Sequence, residues 1–178
     1  MPKEDNPFER WRAAVAANET QDISLPSGKS IAIRKYCVLL DAWSGPPIHD
    51  TYGGKTVINL NGEALFAELV ILRLVENDGW DGLWVDNYRN RFRYSMKEES
   101  GTLPPWVNAR YEEIVAANGS KSGCWDLLAW RGDSVLFVEC KRKGKDRIQS
   151  SQERWLGAAL EVGVTADSFL ICEWDLRA

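Results

Sequence analysis

A chain of 178 residues with 44% apolar and 27% charged residues is long enough to bury one real core and has the make-up of an ordinary globular domain. No apolar run reaches the ~18 residues of a membrane-spanning helix, and the start Met1-Pro2-Lys3-Glu4-Asp5-Asn6 lacks the pattern of a secretory leader. Four scattered cysteines (Cys37, Cys124, Cys140, Cys172) without Cys-x-x-Cys spacing read as buried thiols of a reducing, cytoplasmic compartment, and the single histidine, His49, argues against multi-histidine metal hydrolases and a Ser-His-Asp triad.

In chain order, residues 5–19 predict a short helix, with Phe8, Trp11, Ala14 and Val15 at helical spacing. Leu25-Pro26-Ser27-Gly28 is a turn, and residues 30–41 predict a strand. Ser44-Gly45-Pro46-Pro47 and Tyr52-Gly53-Gly54 bracket a loop. Residues 1–60 show no chemistry and read as an N-terminal addition packed on the core, which spans residues 61–178.

Residues 62–77 predict the strongest helix, with Asn61 as its cap and Gly79 beyond its end. At about 100° per residue, Glu63, Arg73, Glu76 and Asn77 share a polar stripe, and Glu68 falls opposite among Leu65, Ile71, Leu72 and Val75. An acid on an apolar face needs a partner or a metal. Residues 80–94 predict a strand with a bend at Asn87, and an insert at about 95–122 contains a helix over 106–118. Residues 150–162 predict a helix capped by Ser150 with Glu153, and residues 168–174 a last strand.

Residues 124–141 predict a β-hairpin. Gly132 at the first central position suits a type II′ turn flanked by Arg131 and Ser134. Antiparallel counting then sets Leu128 opposite Phe137 and Asp126 opposite Glu139, and alternation puts Asp126, Glu139 and Lys141 on one face. The run Val135-Leu136-Phe137-Val138 predicts burial on both faces. Two carboxylates in cross-strand contact repel unless a cation joins them, and their oxygens suit Mg²⁺. Lys141 would meet an anion held by that metal. The plain alternative is a solvated strand face, since Glu-x-Lys is common by chance.

Glu68, Asp126, Glu139-Cys140-Lys141 and Gln152, in that order, resemble the PD-(D/E)XK nuclease superfamily, and with Asp146-Arg147 and Gln152-Glu153-Arg154-Trp155 they resemble its VRR-NUC family. The resemblance covers roughly residues 62–174 without the insert. Trp125 stands where many superfamily members have proline, and the loop from Lys141 to Asp146 is one residue longer than the usual form. The resemblance implies an α/β, restriction-endonuclease-like αβββαβ core with a mixed central sheet flanked by helices. It implies an Mg²⁺- (or Mn²⁺-) dependent endonuclease acting on DNA, structured or branched DNA included. Asp126, Glu139, the Cys140 carbonyl and Glu68 would hold metal; Lys141 would orient or deprotonate water or stabilise the transition state; Gln152 would bond the attacking water or a carboxylate.

A net charge of −4 weighs against a nucleic-acid partner, yet the basic residues are clustered. Arg142, Lys143, Lys145 and Arg147 follow the Glu-x-Lys strand, and Arg91 and Arg93 sit among aromatic residues; both groups are expected to contact phosphates. A homodimer is compatible with the sequence. Two other classes fit it: a binding module that has lost catalysis, and an inhibitor-type interaction domain. The latter would use the acidic charge and the nine tryptophans, a residue favoured at interfaces.

Overall fold

The computed structural model describes residues 19–97 and 99–178. The helix expected within residues 5–19 therefore lies outside the described residues, except that Glu19 opens a strand. Strands β1 (Glu19–Ser24) and β2 (Ser30–Ala42) form a hairpin about the expected turn, closed by the Gly28 N–H donating to the Leu25 carbonyl at 2.9 Å. β3 (Val57–Leu60) and β4 (Glu63–Phe66) form a second hairpin. Then follow α1 (Ala67–Asn77), β5 (Asp81–Asp86), β6 (Arg91–Arg93), α2 (Pro105–Asn118), β7 (Leu127–Arg131), β8 (Ser134–Arg142), α3 (Ser150–Glu161) and β9 (Phe169–Leu176).

Among the described residues, the nine strands make one mixed sheet, mostly antiparallel, in the order β4-β3-β2-β9-β8-β7-β5-β6, with β1 paired to the start of β2. The parallel pairs are β2 with β9 and β8 with β9. β2 and β3 thus continue the sheet past β9. From α1 onward, leaving aside β6 and α2, the order is α, three strands, α, strand.

Helices cover both faces. Leu136, Val138 and Cys140 of β8 join the core formed with Leu69, Ile71, Leu72 and Val75 of α1. Val135 and Phe137 join the core formed with Val107, Tyr111 and Ile114 of α2 and Trp155, Leu156 and Ala159 of α3. The Val135-to-Val138 run is therefore buried on both sides, as its continuous apolar character predicts.

Three boundaries differ from expectation. The predicted helix over 62–77 starts only at Ala67, because Asn61 and Gly62 both take positive φ (52° and 86°) and close the β3–β4 hairpin. Asn-Gly is the preferred pair of a type I′ turn, and that local preference overrides the helical spacing after it. Residues 80–94 form two strands rather than one bent strand, turning through Asn90 at φ 51°. The cap of α3 is Gln149 rather than Ser150.

Candidate functional site

The β7–β8 turn sets the register. Gly132 has φ 61° while Asp133 is not among the residues with positive φ, the signature of a type II′ turn. Leu128 pairs with Phe137, and the ladder runs to Leu127 opposite Val138. The next pair, Asp126 and Glu139, continues it through side chains. The Cys140 N–H donates to Asp126 Oδ2 at 2.9 Å, and the Asp126 N–H donates to Glu139 Oε2 at 3.3 Å. The two acids are cross-strand neighbours where β7 begins and β8 nears its end.

Glu139 is 1% exposed. Its Oε1 accepts from Lys141 Nζ at 2.8 Å and from Gln152 Nε2 at 2.6 Å. Lys141 Nζ also donates to Gln152 Oε1 at 3.1 Å. Gln152 has a further duty. Its Oε1 accepts the Gln149 N–H at 2.8 Å, half of the capping box that starts α3. One amide side chain thus ties the helix start to the Glu-x-Lys strand.

Helix α3 is seated against the lead-in to β7. The Trp125 indole N–H donates to the Gln152 carbonyl at 3.2 Å, and Trp125 packs edge-on against Phe169 with ring centres 4.8 Å apart. Gly123, at φ 85°, allows the approach: a Cβ there would sit 2.0 Å from the Ser151 carbonyl oxygen. Asn87 holds the same lead-in, donating to the Cys124 carbonyl at 3.0 Å.

Glu68 enters from the opposite layer. It lies in the first turn of α1, where the exposed backbone N–H groups favour an acid, and it is 9% exposed. Its partner is Lys55, whose ammonium forms an ion pair with Glu68 Oε1. The Lys55 Nζ also lies 5.9 Å from the centre of the Phe66 ring and 5.6 Å from that of Trp84, within cation–π range. Burial pulls the Lys55 ammonium towards losing its proton, but the charge and hydrogen bond of Glu68, then the charge of Asp126, outweigh this and hold it above its ordinary value.

The carboxylates crowd one another. Burial, then the charges of Glu139 and Glu68, push Asp126 well above the ordinary carboxylate range. Burial also raises Glu139, against the opposing pull of Lys141. Burial, followed by the charge of Asp126, pushes up the neighbouring Cys140 thiol, which leaves it an inert protonated group. Among the described residues no three His, Cys, Asp or Glu side chains gather as a ready-made metal site.

The basic residues divide. Lys143 and Lys145 are exposed on the turn after β8, and Arg147 is exposed just beyond it. Arg142 is half-buried, donating to Thr56 Oγ1 at 2.9 Å and lying over the Trp174 ring at 5.2 Å. Arg91 bonds Asp86 at 3.4 Å and the Tyr52 hydroxyl at 3.0 Å. Arg93 requires a correction. It is 2% exposed, donates to the Tyr52 hydroxyl and to the carbonyls of Met96 and Lys97, and cannot reach a phosphate backbone.

Lys55 is the residue that the sequence did not disclose. A lone lysine after a Tyr-Gly-Gly turn carries no pattern, and only the folded loop brings it to Glu68. No family model, curated protein or solved structure matches this chain.

Proposed function

We propose that this chain is a divalent-metal-dependent nuclease hydrolysing DNA phosphodiester bonds on a restriction-endonuclease-like, VRR-NUC-type fold. The observation that carries the reading is Glu139: buried, bonded at once by Lys141 and Gln152, and set against Asp126. For stability alone this is a poor arrangement, since apolar residues often replace buried ionic groups at no loss. Two adjacent acids with raised proton affinity are, however, a receptor for a cation.

The donor set fits a hard ion. Asp126, Glu139 and the Cys140 carbonyl would hold Mg²⁺ or Mn²⁺, with Glu68, paired to Lys55, flanking the site from the other layer. When bound, such an ion acidifies a coordinated water and neutralises charge on the phosphate. Lys141, aimed by Glu139 and Gln152, would meet a phosphate oxygen or orient the attacking water. Gln152 keeps that ammonium in place through a helix start that cannot shift without losing its cap. Lys143, Lys145 and Arg147 would follow the neighbouring phosphates.

One observation favours a second reading, a binding domain without catalysis on the same fold: Glu68 is already paired with Lys55. A cleavage panel separates the two, using single-stranded, duplex, flap and four-way DNA with Mn²⁺ or with chelator. The nuclease reading expects metal-dependent cleavage of at least one substrate. It expects loss of cleavage in Glu139→Gln, and a rate about 10²–10³-fold lower in Lys141→Met with Mn²⁺ still bound. If parent and Glu139→Gln cleave alike, or the parent cleaves nothing, the catalytic reading falls.

A further inference from the structure

The loop between β2 and β3 is built to present one ammonium group. Tyr52 has φ 52°, a conformation that costs a bulky residue energy, and Gly53 and Gly54 continue at 78° and 107°. Tyr52 is held there on every side. Its hydroxyl donates to Asp86 Oδ2 at 2.8 Å and accepts from Arg91 and Arg93. Its ring packs against Phe66 at 5.3 Å and Trp84 at 5.4 Å. The chain then turns back, with the Lys55 N–H donating to the Thr51 carbonyl at 2.8 Å, and Arg142 pins Thr56. Between these two anchors Lys55 points its Nζ at Glu68, with Asp126 near enough for their charges to act on each other.

We propose that Lys55 is a built-in second cation: it occupies the Glu68 side of the site and leaves room for a single divalent ion at Asp126 and Glu139. The inference rests on the nuclease reading and fixes how many metals that site takes. Charge supports it. When ionised, Glu68, Asp126 and Glu139 carry three negative charges, against which Lys55 and Lys141 set two positive ones. One divalent ion turns the surplus to a single positive charge, matched to one phosphodiester. Two would leave three positive charges in a small, half-buried space. The Phe66 and Trp84 rings beside it help to hold the Lys55 ammonium at that end.

The test is calorimetric titration of Mn²⁺ into the whole chain, with thermal melting of each variant in chelator. The parent and Lys55→Arg are expected to bind one Mn²⁺ per chain. Lys55→Met is expected to bind two, because Glu68 loses its partner and turns to metal. Its melting temperature in chelator is expected to fall and to recover on adding Mn²⁺ by more than the parent gains. The double variant Lys55→Met/Glu68→Gln removes the orphaned acid, keeps the fold, and is expected to return to one ion. Two ions in the parent, an unchanged single ion in Lys55→Met, or two ions in the double variant would overturn the proposal while leaving the nuclease reading standing. A parent that binds no Mn²⁺ would overturn both. If Lys55→Met does not melt cooperatively, Lys55→Gln takes its place with the same expected stoichiometry.

Discussion

An acid enclosed beside two others becomes a liability as pH rises, and Asp126 carries that liability. Its folded-state pKa lies well above the ordinary value, chiefly through burial and then through Glu139 and Glu68. The folded chain therefore holds this proton longer than the unfolded chain does. The resulting stability is complete below the ordinary carboxylate pKa of about 3.9 and is lost as pH climbs towards the raised value. Asp126→Asn removes the charge and keeps an oxygen for the Cys140 N–H. In chelator, as pH rises above about 4, the melting temperature of the parent is expected to fall relative to this variant, and on the nuclease reading Mn²⁺ is expected to reverse the order. Parallel melting curves would contradict it. At this scale the sequence spoke clearly for Asp126, Glu139 and Lys141, because a two-residue glycine turn leaves little freedom in the register. It was silent on Lys55, whose position depends on a loop held by residues far along the chain. It misled on Arg93: basic residues in a short strand say nothing about what will cover them.

Among elements, α3 is the one on which the site turns. Its first turn is pressed against Gly123 so closely that no side chain fits between them. Gly123→Ala combines a positive φ with a clash against backbone, and is expected to cost about 2–4 kcal/mol in urea unfolding. It is also expected to displace Gln152 from Glu139 and, on the nuclease reading, to reduce cleavage in whatever fraction still folds. A variant as stable as the parent would show that α3 can retreat without loss. β2, α2, the β7–β8 hairpin and β9 fall near their expected places. The start of α1 does not, because the stretch 63–66 is apolar enough for either structure and only the Asn61-Gly62 turn decides between them. The cap of α3 moved by one residue for a related reason. Gln149 and Gln152 can satisfy each other's backbone as well as Ser150 and Glu153 could.

Over the whole molecule, the net charge of −4 hides a local surplus on the turn after β8. If Lys143 and Lys145 lie on phosphates, replacing both with alanine should flatten the slope of log K against log[salt] for duplex DNA by about 1.8 units. An unchanged slope would mean that these residues are only solvated. The sheet order has a consequence of a different kind. β9 lies between β2 and β8 and is parallel to both, so it joins the front of the chain to its middle. Until Phe169–Leu176 has left the ribosome, the two parts have no shared ladder, and each presents an unpaired strand edge. Such edges recruit other chains, and pairings so distant in sequence form slowly. A nascent chain stalled before residue 169 would be a two-sided template for misassembly, and its safe folding depends on how soon one late strand closes the gap.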